Sequence, residues 1–313
     1  MAYTNGNTKN QIPAATRLRE LLADKSKIIT CPGVYDGLTA RIALNAGHSC
    51  LYMTGAGTSI SRLGLPDLGC VTLSEMHANA AMIASLDRSV PLIADADAGY
   101  GGPIMVGRTV AMYMQAGVAG LHIEDQVQTK RCGHLAGKEL VGTDVFLARI
   151  KAAAMSRDRE MGDIVIIART DALQSLGYEE AISRLKMAVK AGADVAFLEG
   201  VASVEQGKQA CRDLAPTPVL LNMVQGGLTP NLTASEAHNL GFRIIIFPGL
   251  ALSSVLVAVT GAMEELKRRG TVVKDGGAVA RSLSPKALFE VCGLDECIAF
   301  DREAGGVAFA KGV

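Results

Sequence analysis

The sequence has no net charge and no long apolar run, and both absences limit the class of protein it can be. It contains 31 lysine and arginine residues and 31 aspartate and glutamate residues, so its formal net charge is zero. Such a chain exerts no general attraction on nucleic acid or an anionic membrane, so recognition must be local. No run reaches the roughly 18 apolar residues of a membrane-spanning helix. Residues 1–13 lack the pattern of a signal or transit peptide, so a cytoplasmic location is expected.

The cysteines form no pattern typical of a disulfide framework or a zinc finger. There are seven, an odd number, and none belongs to a CxxC motif. Six of them, in mostly apolar segments, are predicted to be reduced, buried thiols. The six are Cys31, Cys50, Cys70, Cys211, Cys292 and Cys297. Cys132 differs because Lys130, Arg131 and His134 surround it.

Eight short β-branched runs alternate with longer amphipathic or Ala-rich segments from about residue 14 to about residue 268. The runs predicted as strands are 27–31, 50–54, 91–97, 120–125, 164–170, 194–200, 218–223 and 243–249. Eight βα units with continuously apolar strands predict a closed TIM-type (β/α)8 barrel, an α/β fold. The alternative is an open doubly wound sheet, but PGVYDG after the first strand lacks the GxGxxG turn typical of that fold.

The segment after the barrel, about residues 269–313, is expected to form a helical extension of the same single domain, residues 1–313. A polar stretch, KRRGTVVKDGG, leads into the helical pattern SPKALFEVCGLDECIAF. The apolar face of that pattern needs a partner. From the sequence, it packs either on its own barrel or on a neighbouring subunit.

Polar residues gather at the C-terminal ends of the predicted strands. They are Asp95, Asp97, Glu124, Asp125, Arg169, Asp171, Glu199 and Asn222. In a parallel barrel these ends meet at one mouth, where catalytic groups converge, whereas solvated charges would be scattered over helix faces. The clustering therefore predicts an active site at this mouth.

Two aspartates at the end of the third strand indicate a metal site. In PLIADADAGYGG, Asp95 and Asp97 lie two residues apart, so their side chains leave the same face of the strand. Such carboxylates suit Mg²⁺, and Mn²⁺ is expected to substitute for it. The alternative is an aspartate pair bonded to backbone amides. Glu124, after the next strand, favours the metal because a cation relieves the repulsion among three carboxylates.

The polar, glycine-containing segment EDQVQTKRCGHLAGKEL follows the fourth strand, where a loop covering the barrel mouth would lie. Its Cys132 has three basic neighbours, Lys130, Arg131 and His134, which favour a thiolate and proton transfer. The alternative is a cysteine that lies in a basic loop by chance.

These motifs together resemble the isocitrate lyase and phosphoenolpyruvate mutase superfamily. The resemblance rests on DADAGYG, KRCGH and GKEL, and it extends from CPGVYDGLTARIA through YMTGAGTS, HIEDQ and IIARTDA to NMVQGGLTP and IIIFPG. It implies a TIM-like barrel, a Mg²⁺ site and a mobile loop that closes over a small dicarboxylate substrate. It also implies a homotetramer in which a C-terminal helix is exchanged between neighbouring barrels.

The resemblance assigns roles to individual residues. Asp97 would bind the metal directly and contact substrate, while Asp95 and Glu124 would hold metal-bound water. The implied catalytic residues are Cys132, Tyr52, Arg169, His134 and Glu199. The implied substrate-binding residues are Thr54, Gly55, Ala56, Lys130, Arg131, Gly133, Asn222 and Pro248. Thr54 departs from the serine usual in the family. Arg169 as a structural ion pair and Asn222 as a core amide are the alternatives.

Several short sequence motifs distinguish the branches of this superfamily. The KRCGH run, which phosphonate-forming mutases generally lack, favours a carbon-carbon lyase. Methylisocitrate lyases usually show PEA and TEFG where this chain has LEG and VQGG, and oxaloacetate acetylhydrolases tend to carry serine where Pro248 stands. The resemblance thus implies cleavage of a 2-alkylmalate, with (2R,3S)-2,3-dimethylmalate giving pyruvate and propionate. Oxaloacetate hydrolysis, methylisocitrate cleavage and a catalytically silent barrel are the alternatives.

Overall fold

The computed structural model describes residues 12–271 and 284–310, and its centre is a closed barrel of eight parallel strands. The strands are β1 (Ile29–Val34), β2 (Leu51–Met53), β3 (Leu92–Asp95), β4 (Gly120–Glu124), β5 (Val165–Thr170), β6 (Val195–Leu198), β7 (Val219–Asn222) and β8 (Ile244–Phe247). Each strand pairs with the next along the chain, and β8 closes the barrel by pairing with β1. The predicted TIM-type barrel and its eight strands are confirmed.

Helices surround the barrel. Those of the barrel region are α1 (Ala14–Ala23), α2 (Gly37–Asn45), α3 (Gly55–Leu63), α4 (Leu73–Leu86), α5 (Pro103–Ala116), α6 (Thr143–Arg159), α7 (Ala172–Leu176), α8 (Tyr178–Lys190), α9 (Val204–Asp213), α10 (Ala234–Leu240) and α11 (Leu250–Arg269). The extension contributes α12 (Pro285–Val291) and α13 (Leu294–Glu303). Within the described ranges, no helix is long and apolar enough to cross a bilayer.

Two apolar clusters hold the barrel together. The larger one lies between the strands and the surrounding helices. The smaller one fills the barrel interior and includes Leu18 of α1, which is fully buried. Arg19 on the same helix donates to the backbone carbonyl of Asp163, just before β5 begins, so α1 closes the N-terminal end of the barrel. The opposite end, where the strands finish, stays available for a site.

The helix α3 holds Gly55 and Ala56, two of the implied substrate-binding residues, in its first turn. It begins directly after β2 because Thr54 caps it, with the Thr54 hydroxyl accepting a hydrogen bond from the Gly57 N–H at 3.2 Å. Small residues along α3 are buried against the barrel. Their packing outweighs the low helix propensity of the glycines.

The extension also differs from the single helical pattern that was expected. Gly293 adopts a φ of +86°, a left-handed conformation that ends α12 and separates it from α13. Within the single chain α12 lies on α2, where the Asn45 side chain donates to the Val291 carbonyl at 3.2 Å. Most of the polar stretch that leads into the extension lies outside the described residues.

The cysteine prediction is only half right. Cys31, Cys50 and Cys211 are buried, as expected. Three others are exposed in the single chain, where the prediction of burial is wrong: Cys70, Cys292 and Cys297. Cys70 lies in the loop between α3 and α4, and the other two lie at the end of α12 and on α13, where the described chain leaves them uncovered.

Candidate active site

Three buried carboxylates lie where β3 and β4 end. Asp95 is the last residue of β3, Asp97 follows it in a turn, and Glu124 is the last residue of β4. Asp97 has a left-handed backbone with a φ of +45°, and its N–H donates to Oδ1 of Asp95 at 2.9 Å. Burial raises the pKa of all three carboxyl groups, that of Asp97 to about 6. The cluster therefore needs nearby positive charge to stay ionised.

Lys130 supplies part of that charge. Its Nζ lies 2.7 Å from Oδ1 of Asp97 and 2.5 Å from Oδ1 of Asp67, with only 4% of the lysine side chain exposed. Burial tends to lower the pKa of Lys130, but the carboxylates of Asp97 and Asp67 outweigh it and raise that pKa. Within the described chain, Oε1 of Glu124 still has no hydrogen-bond partner, and no group of three or more His, Cys, Asp or Glu side chains is arranged to hold a metal ion.

Residues 126–140 form a lid that is closed over the barrel mouth. An isolated β-bridge between Gln126 and Leu140 joins its two ends. Its middle is anchored where the Cys132 N–H donates to the backbone carbonyl of Asp67 at 3.2 Å. The Lys138 ammonium holds the far part by donating to Oδ1 of Asp171, just after β5, at 2.8 Å. The predicted lid is thus tied to loops on both sides of the mouth.

The Cys132 thiol lies inside the closed lid. Burial raises its pKa above the usual value, and a hydrogen bond from the His134 backbone N–H offsets only part of that effect. Lys130 points to the carboxylates, while Arg131 is exposed and donates to the Ala136 carbonyl at 3.3 Å. The interpretation that basic neighbours favour a thiolate is therefore wrong. The charged groups of Lys130 and Arg131 bind other partners, and the thiol keeps its proton.

On the far side of the mouth, the guanidinium of Arg169 is surrounded by carboxylates. Arg169 on β5 pairs with Oδ2 of Asp171 at 2.9 Å and with Oε2 of Glu124 at 3.2 Å. Burial tends to lower the pKa of Arg169, and its acidic neighbours more than reverse this. Asn222 on β7 donates to Oε2 of Glu199 at 3.0 Å. Arg169 is thus held by ion pairs, which fix the orientation of its planar guanidinium group.

Two lid residues approach this far side closely. Nε2 of His134 lies 3.5 Å from Oε1 of Glu199 and 3.4 Å from Nδ2 of Asn222. A Cβ atom at Gly133 would lie only 2.8 Å from Cγ of Glu199, so a larger residue would push the lid away. The glycine of the KRCGH run therefore permits the close approach of its neighbours.

Tyr52 and His122 lie together below the mouth. The Tyr52 hydroxyl is 2.8 Å from Nε2 of His122, and both side chains are buried. Burial raises the pKa of Tyr52 and lowers that of His122 to about 3. Both groups are therefore neutral near pH 7, so Tyr52 is a phenol that can donate a hydrogen bond.

These groups surround a cavity of about 210 Å³. Most of the predicted site residues line it: Tyr52, Thr54, Ala56, Asp95, Cys132, Gly133, His134, Arg169, Glu199, Asn222 and Pro248. The other predicted residues lie around it without lining it in the described structure: Gly55, Asp97, Glu124, Lys130 and Arg131. Gly55 donates its N–H to Oδ2 of Asp95 at 3.2 Å, so it supports the carboxylate cluster.

Four lining residues were missed from the sequence: Asp67, Val224, Gly249 and Leu252. Asp67 follows α3, so the rule that catalytic groups lie at strand ends could not find it. Val224 and Leu252 are apolar, and no sequence pattern distinguishes an apolar cavity wall from a core position. Only the path of the chain brings these residues to the mouth.

Comparisons with known proteins agree with the geometry. The family model described as phosphoenolpyruvate phosphomutase matches residues 18–267. The 2,3-dimethylmalate lyase of Eubacterium barkeri is 42% identical over 252 residues, covering 80% of this chain and 84% of that protein. A crystal structure of 2,3-dimethylmalate lyase shares 56% identity with a TM-score of 0.93, covering 97% of this chain and 99% of the other. A structure of oxaloacetate acetylhydrolase in complex with 3,3-difluorooxalacetate shares 52% identity with a TM-score of 0.91, covering 95% of this chain and 99% of the other. The chain therefore belongs to the phosphoenolpyruvate phosphomutase family, within the PEP mutase/isocitrate lyase superfamily.

Proposed function

We propose that this chain cleaves the C2–C3 bond of a 2-alkylmalate with the help of Mg²⁺, and that (2R,3S)-2,3-dimethylmalate is converted to pyruvate and propionate. The observation that carries the proposal is the division of the closed cavity into a polar side and an apolar wall, with the Cys132 thiol among the lining groups. The similarity to 2,3-dimethylmalate lyases supports the same substrate class.

The charges of the cavity favour a dicarboxylate over a tricarboxylate. Among the described lining residues, Arg169 is the single permanent cation, whereas Asp67, Asp95 and Glu199 are acidic. One substrate carboxylate would bind Arg169, and the other would bind near the metal and the N-terminus of α3, where backbone N–H groups favour an anion. The third carboxylate of methylisocitrate would have no cation of its own.

The apolar wall suits the alkyl groups of the proposed substrate. Val224, Pro248 and Leu252 line the cavity and offer no charge. Pro248 also has no N–H, so it cannot donate to the hydrated ketone of oxaloacetate. Methyl groups against this wall would gain about 0.8 kcal/mol per buried carbon. These features favour dimethylmalate over oxaloacetate.

The proposed divalent cation would lie at the carboxylate cluster. Glu124 keeps one buried carboxylate oxygen without a hydrogen-bond partner in the described chain, and Asp97 is held in an unusual backbone conformation. Asp97 would bind Mg²⁺ directly, while Asp95 and Glu124 would bind its waters, because this ion commonly uses one or two protein carboxylates. When bound, Mg²⁺ would polarise the C1 carboxylate and C2 hydroxyl and make that hydroxyl more acidic.

The chain's own residues perform the remaining tasks. Breaking the C2–C3 bond turns the C2 hydroxyl into the carbonyl of pyruvate, so the hydroxyl proton passes to a carboxylate of the cavity and then to solvent. The bonding electrons remain as negative charge on the carboxylate fragment, and Arg169 and Asn222 are donors that line this region. The Cys132 thiol donates a proton to the new carbanion, which yields propionate and a thiolate that is later reprotonated from solvent. The closed lid excludes water, so the carbanion receives its proton from the positioned thiol.

A coupled assay for keto-acid release tests the proposal. Dimethylmalate, other 2-alkylmalates, oxaloacetate and methylisocitrate are offered in parallel with Mg²⁺ and then with EDTA. Pyruvate from dimethylmalate that is lost with EDTA and restored by Mg²⁺ or Mn²⁺ is the expected result. Oxalate and acetate from oxaloacetate as the faster reaction would replace the proposal with the hydrolase function.

Shortening the apolar wall is expected to change specificity more than overall activity. Leu252→Ala should improve kcat/KM for 2-propylmalate relative to dimethylmalate by about 10- to 200-fold, because each methylene in an apolar pocket contributes about 1–3 kcal/mol. Parallel kcat/KM measurements on the two diacids check this. Leu176→Ala, which removes a half-exposed leucine outside the cavity lining, is the control. An unchanged ratio in Leu252→Ala would remove that leucine from the substrate contact.

We further propose a homotetramer in which neighbouring copies exchange the helical extension of this single-domain chain. None of the residues of α11 is buried in the described single chain, and Leu256 and Val257 are 69% and 75% exposed. Phe289 on α12 is also 59% exposed. Apolar surface of this extent is typical of a subunit interface. Sedimentation equilibrium should give four times the chain mass, and a monomer at micromolar concentration would refute the proposal.

A cytoplasmic location is proposed as well. The seven cysteines, all within the described residues, are unpaired, which is usual in a reducing compartment. Fractionation of cells that express the tagged chain tests this, and recovery from an extracytoplasmic fraction would contradict it.

A further inference from the structure

Three aromatic side chains, one from each of three barrel strands, contact one another directly beneath the cavity. Tyr52 on β2 stacks on His122 of β4, with ring centroids 5.8 Å apart and planes 19° apart. Phe197 on β6 packs against His122 with ring centroids 5.6 Å apart and planes 85° apart, an edge-to-face contact. Side chains from alternate strands commonly form such layers in a TIM barrel. Tyr52 reaches the cavity from this layer, whereas His122 does not line it in the described structure.

The surroundings of His122 indicate which of its ring nitrogens carries the proton. Nε2 lies 2.8 Å from the Tyr52 hydroxyl oxygen and 3.5 Å from Oδ1 of Asp95. Nδ1 is buried and has no hydrogen-bond partner among the described residues. Nδ1 is unpartnered in either tautomer, so the choice depends on which nitrogen offers its N–H an acceptor, and acceptors lie only beside Nε2 among the described residues. A proton on Nε2 meets the phenol oxygen and faces the carboxylate.

We propose that His122 is a positioning residue that donates its Nε2–H to the Tyr52 oxygen and thereby directs the Tyr52 hydroxyl proton into the cavity, toward an oxygen of the substrate. A phenol that accepts a hydrogen bond is also a stronger donor, since linked hydrogen bonds polarise one another. Tyr52 then stabilises the oxygen on which charge develops as the C2–C3 bond breaks. This inference rests on the proposed lyase function.

A double-mutant cycle tests the part that concerns catalysis. Tyr52→Phe and His122→Phe are each expected to lower kcat about 10- to 100-fold with a smaller change in KM. The double variant should lose little more than either single variant, because His122 acts through Tyr52. His122→Gln, whose amide N–H can reach the Tyr52 oxygen, should recover part of the activity. Losses that multiply in the double variant, or a His122→Phe enzyme with unchanged kcat, would overturn the proposal.

Two further measurements distinguish the proposed positioning role of His122 from a role in stability alone. Thermal unfolding and calorimetric affinity for Mg²⁺ should be similar in His122→Gln and the unaltered chain, although Asp95 is near the ring. Selective ¹⁵N-histidine NMR of the full-length protein, assigned by the signals missing from His122→Phe, should show the neutral tautomer protonated on Nε2. Protonation on Nδ1 refutes the inference even if no diacid is turned over, whereas a chain with the expected tautomer and no lyase activity refutes the proposed function alone.

Discussion

Cys132→Ser is expected to lower kcat by about 10²- to 10⁴-fold while leaving substrate and Mg²⁺ binding nearly unchanged. This range is what a positioned general acid typically contributes. Serine keeps the size and polarity of the side chain, but its hydroxyl is a far weaker acid than a thiol. The structure makes the thiol suitable as a donor because burial raises its pKa and keeps it protonated. Steady-state kinetics with dimethylmalate and calorimetric binding of oxalate provide the measurement.

A partial reaction separates proton transfer from the other steps of turnover. In D₂O with pyruvate and Mg²⁺, the unaltered chain should exchange the C2 hydrogens of propionate, and Cys132→Ser should not. Cys70→Ser is the matched control, because Cys70 is exposed and lies outside the cavity lining. Exchange at the normal rate in Cys132→Ser would assign the proton donor to another group.

Asp97→Asn is expected to reduce metal-dependent activity by roughly 10³-fold or more, because a bound cation contributes several kcal/mol to a transition state with developing charge. Asparagine is the better replacement because Asp97 has a left-handed backbone with a φ of +45°, which asparagine tolerates better than alanine does. The fold should survive, so the loss should come from the missing ligand. Mg²⁺ titration by calorimetry, together with kcat, checks this expectation.

The control for this variant removes an aspartate that is exposed on the surface, away from the carboxylate cluster. The Asp158 side chain is 71% exposed on α6, so Asp158→Ala should leave both Mg²⁺ affinity and kcat unchanged. If Asp97→Asn bound Mg²⁺ as tightly as the unaltered chain does, the direct ligand would have to be Asp95 or Glu124.

The barrel could be predicted because its strands and its mouth obey local rules. Strands buried on both faces must be continuously apolar, so runs such as IVIIART stand out in the sequence. The polar residues that end those strands, including Asp95, Glu124 and Arg169, must then meet at one mouth. The helix α3 was not predicted, because its glycines have low helix propensity; it is capped by Thr54 and its small residues are buried.

Other features depend on distances that no local pattern encodes. The basic residues around Cys132 are close to it along the chain, yet Arg131 is exposed and Lys130 lies against Asp97 and Asp67. The protonation state of the thiol follows from this arrangement and from burial. Asp67 joins the site although it lies 63 residues before Lys130 of the lid, because the loop after α3 passes beside the closed mouth.

The closed barrel, the mouth at which polar groups converge, the neighbouring carboxylates and the cysteine-bearing loop over the mouth could all be predicted from the order of the residues. Hydrophobic periodicity is a property of residues that are close in sequence, and it predicts the strands. Parallel strands of one barrel all end at the same mouth, so the residues that follow them can be grouped without coordinates. Three features required the folded chain: which lid cation contacts the carboxylates, which apolar residues form the cavity wall, and that His122 lies beneath Tyr52. Electrostatic and packing energies depend on the distance between atoms in space and on their burial, and residues remote in sequence reach those distances only when the barrel closes.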